Sequence, residues 1–145
     1  MEYRLTKFED LTVGKKAAFA KTITEADISH FVAVTGDVNP LHVDRQFARR
    51  TFFGKRICHG MLTASLFSTI VGMLLPGTGA IYRSQSLTFV RPVFIGDTLT
   101  ASFEIVRIER ERERIEMDGV IRNQEGEEVL RGVAVVSLLR QVAEA

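Results

Sequence analysis

The chain has no tryptophan, a single cysteine (Cys58), three prolines and two tyrosines among 145 residues. One cysteine excludes a disulfide within the chain and fits a reducing compartment, so a cytoplasmic location is expected. There is almost no net charge: 19 basic residues stand against 18 acidic ones, a formal balance of +1. A chain without a basic excess is not expected to have nucleic acid as its main partner. A long hydrophobic run is also missing. The most apolar stretch, residues 61–75, carries Thr63, Ser65, Ser68 and Thr69, and it falls short of the roughly 20 residues a bilayer span needs. No membrane segment is expected. The first seven residues are charged throughout, which does not suit a secretory leader. No repeat, linker or low-complexity tract divides the chain, so one domain over residues 1–145 is expected. That length, with 46% hydrophobic residues, can bury a core without a metal or disulfide staple.

What is present falls into two halves. Residues 17–21 read as a short strand. Thr24-Glu25-Ala26-Asp27 is a threonine cap with acids in the first turn, which predicts a helix over 25–35. Its apolar side is expected from Ile28, Phe31, Val32 and Val34, and Gly36 is its stop signal. Pro40 cannot donate a backbone hydrogen bond and disfavours helical angles at Asn39, so residues 37–42 are expected to be a structured turn. A short helix capped by Asp44 follows. Phe52 and Phe53 need cover from another surface. Residues 60–75 predict a helix apolar nearly all round and hence buried on all sides. From residue 80 the pattern alternates: a strand over 81–90, then Leu99, Ala101, Phe103 and Ile105, with a phase shift to Val106 and Ile108 that predicts a bulge. Ile115, Met117, Gly119 and Ile121 alternate again, and residues 129–139 form a last apolar strand. The alternating arginines and glutamates of residues 107–116 read as a solvated hairpin end. A helical half followed by antiparallel strands implies α+β architecture, with a curved sheet around one long helix. Such a sheet has edges that pairing of two subunits would protect.

The chemistry-bearing residues concentrate in Thr35-Gly36-Asp37-Val38-Asn39-Pro40-Leu41-His42. A carboxylate and an imidazole brought together across a turn can share one water and move its protons. Hydration of a conjugated thioester needs both transfers; the same spacing also suits a structural pair. Asn39 either positions substrate or bonds to nearby backbone. Ile57-Cys58-His59-Gly60-Met61 precedes the apolar helix, where free amides and the positive pole meet. The backbone N–H of Gly60 is placed to receive a developing oxyanion, or the glycine simply admits the chain to the helix. Cys58 is not expected to be a nucleophile: adjacent residues of an extended segment point to opposite sides, so His59 would not activate it. His30, His42 and His59 form no ligand cluster with cysteine, so no metal is expected. Neither a phosphate loop nor a dinucleotide fingerprint is present.

At these residues the chain resembles the MaoC-like hydratases, in particular single-domain (R)-specific enoyl-CoA hydratases. Phe31, the Thr35–His42 segment and Ala48 match the family pattern, and the likeness extends over Ile57 to Met61, Leu75-Pro76-Gly77, Gln85-Ser86-Leu87 and residues 92–97. The resemblance implies a hot-dog fold and reversible syn addition of water to a trans-2-enoyl-CoA, giving an (R)-3-hydroxyacyl-CoA. It implies Asp37 and His42 as the catalytic dyad, Gly60 as oxyanion donor, and Asn39, Ser68 and His59 as positioning or lining residues. It also implies an acyl-CoA thioester as substrate, no cofactor beyond that coenzyme A, and a homodimer or dimer of dimers. Val71, Leu74 and the last strand are candidates for lining the acyl tunnel, among which the sequence does not choose; the residues that meet the nucleotide phosphates are not identified by it, Arg83 and Arg91 being two candidates. Three other readings share the fold: dehydration of a 3-hydroxyacyl group on acyl carrier protein, thioester hydrolysis, and a non-catalytic acyl-thioester-binding module.

Overall fold

The computed structural model describes residues 4–139 of the chain. Six antiparallel strands form one sheet: β1 (Lys16–Thr22), β2 (Ala80–Gln85), β3 (Thr88–Phe89), β4 (Thr98–Glu109), β5 (Arg114–Arg122) and β6 (Glu128–Leu138). Their order is β1-β4-β5-β6-β2, and β3 also pairs with β6. A short 3-10 turn (Phe8–Asp10) and four α-helical segments complete it: α1 (Glu25–Thr35), α2 (Pro40–Val43), α3 (Arg45–Arg49) and α4 (Gly60–Thr69), the last continued by a wider turn over Ile70–Leu74. This is the mixed α+β arrangement expected, with α4 against a curved antiparallel sheet.

The elements form for local reasons. Thr24 caps α1: its Oγ1 accepts the Asp27 N–H at 3.2 Å, and Asp27 Oδ2 accepts the Thr24 N–H at 2.8 Å. This reciprocal box satisfies two orphan donors. Gly36 ends the helix at φ 75°, a left-handed angle that costs glycine nothing. Along β4 the alternation puts Leu99, Ala101, Phe103 and Ile105 wholly inside. The register with β5 then slips between Ile105 and Arg107, the bulge the sequence predicts. Ile115, Met117 and Ile121 of β5 face the same core. Phe67 of α4 meets Phe103 with ring centroids 4.4 Å apart. Gly119 makes room for that pair, since a Cβ there would lie 2.4 Å from the Phe103 ring and 2.8 Å from Phe67.

Four expectations are corrected. Val34 of α1 is 84% exposed, because only Ile28 of that helix is fully buried. Residues 37–42 are not merely a turn: Asn39 Oδ1 accepts the Leu41 N–H at 3.0 Å and Pro40 opens the helix α2, a position where its missing donor is no loss. The strand expected over 81–90 is two strands. At Ser86 the chain leaves the ladder; its N–H bonds the Val133 carbonyl at 2.9 Å and its Oγ accepts the Val133 N–H at 2.9 Å. Finally, α4 is not covered on every side. Met61, Ser65, Ser68 and Gly72 lie on one exposed stripe, and small hydroxyls there turn back on the helix, as Ser65 Oγ does to the Leu62 carbonyl at 2.6 Å.

Candidate active site

The α1–α2 turn and the approach to α4 are tied together by backbone. The Ile57 N–H bonds the Leu41 carbonyl at 3.2 Å and the Cys58 N–H bonds the Val93 carbonyl at 2.7 Å. These bonds set residues 57–60 beside the Asp37–His42 turn. The turn itself is internally braced: Thr35 Oγ1 accepts the Asp37 N–H at 3.2 Å, and Asp37 Oδ1 accepts the Asn39 N–H at 3.1 Å.

Two buried imidazoles meet here. The rings of His42 and His59 lie with centroids 3.9 Å apart, tilted by 31°, and the Phe31 ring lies 4.9 Å from that of His59. The Asp37 carboxylate, half exposed, has Oδ2 at 4.0 Å from His59 Nε2. One ligating atom each from Asp37, His42 and His59 lies within 4.8 Å of the others. The surroundings fix both tautomers. His42 Nδ1 is 2.9 Å from the Ile57 carbonyl, which can only accept, so the proton of the neutral ring sits on Nδ1 and Nε2 keeps its lone pair. His59 Nε2 faces the Asp37 backbone carbonyl at 3.1 Å and must be the donor. Its Nδ1 is then a buried acceptor without a protein partner among the described residues.

His42 opens onto a cavity of about 300 Å³. Gly60 lines the same cavity and begins α4, so its N–H has no partner within the helix. Phe53, Phe89, Val90 and Val129 supply apolar walls. The resulting arrangement sets a lone-pair nitrogen and a helix-start amide on one apolar space, with the Asp37 carboxylate beside the two imidazoles. An oxygen of Asp37 and a ring nitrogen of His42 lie within 4.8 Å of each other, a separation that one water can bridge, since each such bond spans about 2.8 Å. Asp37, His42 and His59 are also of the kind that ligates a divalent ion, but His59 Nε2 is engaged by a carbonyl, which withdraws that nitrogen from coordination.

The structure thus brings together Asp37, His42, His59 and Gly60. It does not bring Ser68 to them. Ser68 opens into a separate groove of about 460 Å³ beside Tyr82 and Gln85. The Asn39 side-chain oxygen is used on the Leu41 amide. Of the tunnel candidates, Val71 is buried in the core and Leu74 is exposed, and neither borders the cavity. The last strand contributes Val129. Cys58 is buried, its thiol pushed up to about 11 chiefly by loss of solvent, which suits no nucleophile. Sequence reasoning missed the Ile57 carbonyl that orients His42 and the ring contact of His59. Only contact across the fold reveals either.

Comparison with known proteins adds the following. The MaoC like domain matches residues 9–128. An (R)-specific enoyl-CoA hydratase of Aeromonas caviae is 43% identical over 130 residues, covering 90% of this chain and 97% of that protein. One from Rhodospirillum rubrum is 48% identical over 105 residues, 72% of this chain and 73% of that one. Among solved structures, the R-hydratase PhaJ1 of Pseudomonas aeruginosa superposes with a TM-score of 0.87 at 37% identity, covering 97% of this chain and 94% of its own.

Proposed function

This chain belongs to the MaoC-like domain family, and from that premise we propose that it is an (R)-specific enoyl-CoA hydratase, a hydro-lyase adding water reversibly to trans-2-enoyl-CoA. The observation that carries this reading is that His42 and the Gly60 amide line one cavity while the Asp37 carboxylate lies beside the His42 and His59 rings. In the proposed reaction a water donates one hydrogen to His42 Nε2 and the other to the Asp37 carboxylate. Its lone pair then points at Cβ of the bound enoyl group. As the C–O bond forms, a water proton leaves, the double-bond electrons move toward the thioester, and charge gathers on its oxygen. A helix-start amide aimed at that oxygen stabilises it in the transition state more than in the ground state. A proton returns to Cα on the same face, so H and OH add syn. Asp37 and His42 share these transfers; dehydration is the same path reversed.

No redox change and no group transfer occurs, so the chemistry calls for no cofactor beyond the coenzyme A carried by the substrate. We place the protein in the cytoplasm, on its lone buried thiol. Among the described residues no helix is long and apolar enough to cross a membrane. The working form we propose is a homodimer. The decisive experiment measures water addition to trans-2-enoyl-CoA of increasing chain length and the configuration of the product. The expected result is loss of the enoyl absorbance with (R)-3-hydroxyacyl-CoA formed. Release of free thiol, or an (S) product, would overturn the reading.

A further inference from the structure

Beside the cavity that His42 and Gly60 line lies a second hollow, of about 610 Å³, whose lining is strongly basic. Arg45, Arg49, Lys55 and Arg56 contribute four positive charges and Glu25 the only acid, in a chain whose whole formal charge is +1. Glu25 is already shared: it accepts from Arg56 and, at 3.2 Å, from Arg45. Arg56 pulls its carboxyl below the usual carboxylate range. Arg56 is itself little exposed and also reaches the His42 carbonyl at 3.4 Å. Arg49 and Lys55 have no carboxylate partner among the described residues; Lys55 rests over the Phe94 ring, 4.1 Å from its centroid. Cations held close together without counter-charge in a concave surface attract an anion.

The two spaces back on the same segments. Phe53 and Ile57 line the cavity, while Gly54, Lys55 and Arg56, between them in sequence, line the hollow. On the opposing stretch, bridged at Ile57 and Phe94, Val93 faces the cavity and Ile95 the hollow. By contrast, the arginines that sequence reasoning offers for phosphate are occupied. Arg83 donates to Ser137 Oγ at 2.8 Å, and Arg91 donates to the Glu128 carbonyl at 2.9 Å and pairs with Glu127 at 3.6 Å.

Resting on the hydratase reading, we infer that Arg49 and Lys55, flanked by Arg45 and Arg56, form the binding site for the phosphate groups of the coenzyme A nucleotide. A guanidinium fork and an ammonium suit phosphate oxygens, and the site serves affinity for the carrier without touching the reacting carbons. The double variant Arg49→Ala, Lys55→Ala therefore raises KM for crotonyl-CoA about tenfold, as loss of two surface charge contacts implies, with kcat unchanged. KM for crotonyl-pantetheine, which lacks every phosphate, stays at the parental value. An unchanged KM for crotonyl-CoA overturns the proposal. So does an equal rise for both thioesters, or a rise confined to a crotonyl-carrier-protein thioester. Calorimetry with adenosine 3′,5′-bisphosphate separates this site from the hydratase reading. Binding by the parent and its loss in the double variant support the site even if neither thioester is hydrated; equal binding by both, or no binding by the parent, sinks it.

Discussion

A histidine is a useful base only if the right nitrogen is free, and at His42 a single backbone oxygen decides this. The Ile57 carbonyl accepts a hydrogen bond from Nδ1–H, leaving Nε2 to accept from water. Asp37→Asn and His42→Gln each replace one of the two groups proposed to take and return the water's proton with an amide, which can accept a hydrogen bond but not a proton. Each is expected to lower kcat by ~10²–10⁴-fold, the range for a positioned acid or base, with the melting temperature little changed; steady-state kinetics on crotonyl-CoA checks it. His59 makes no proposed contact with the reacting atoms. It holds the Asp37 carbonyl and lies against the His42 ring, the geometry of a positioning residue. His59→Phe keeps a ring there and loses one hydrogen bond, so kcat is expected to fall about tenfold with KM unchanged. The same substitution removes the buried unpaired Nδ1, so thermal stability should hold or rise. A parental kcat would show that ring contact alone positions the dyad. Asp37 and His42 were legible as a candidate pair from residue type and spacing. His59 came in only through the resemblance, as a positioning or lining residue; its contact with His42 was hidden, because nothing local reveals a ring pair across 17 residues of chain.

Elements were legible where one face is buried and the other is not. The alternation along β4 and β5 holds because a slip of one residue would expose a whole hydrophobic row, and the bulge near Val106 shows as a break in that rhythm. The helix over residues 60–75 was legible as apolar, but its open stripe was not, because hydrophobicity does not say what covers a surface. The split of the 81–90 strand was hidden for another reason: the Ser86 backbone crosses β6 where only Gly132 leaves space, a Cβ there lying 1.8 Å from the Ser86 carbonyl oxygen. The helix–sheet seam has a similar dependence at Gly119, under Phe67 and Phe103. Gly119→Ala forces two buried rings from their positions, overpacking that costs about 1–3 kcal/mol. Denaturant unfolding is expected to show that loss with an unchanged slope. The exposed turn glycine Gly126 has nothing within 4 Å, but its φ of 79° strains any side chain, so it is a poor control; Gly72, with open space and no such angle, is the better one.

At the scale of the whole molecule, the open stripe of α4 and the free edge of β2 belong to one surface. Met61, Ser65 and Ser68 share a groove with Tyr82, Arg83 and Gln85, and among the described residues β2 ends the sheet with no strand beyond it. Met61, Met73, Leu74, Tyr82 and Phe89 all leave large apolar area exposed. Phe89 also walls the cavity that His42 and Gly60 line and lies within 2.8 Å of where a Cβ on Gly60 would be, so whatever covers this surface borders the candidate active site. An exposed apolar face continuous with an unpaired strand edge marks an association surface, and a second copy related by a two-fold axis would pair β2 with β2 and close both at once. The protein is therefore expected to sediment at a multiple of its 16.2 kDa chain mass, twofold or fourfold. Ser65→Arg sets a charge in the middle of the groove, which an apolar interface cannot bury unpaired, and should shift the species to single chains. If Ser65→Arg leaves the assembly intact, the partner sits elsewhere, and the other sheet edge, β1, becomes the surface to test. The same variant also separates assembly from chemistry: His42, Asp37 and Gly60 all come from one chain, so a single chain that keeps its fold but loses turnover would mean that the partner completes the wall around the acyl group rather than the set of groups that move its protons.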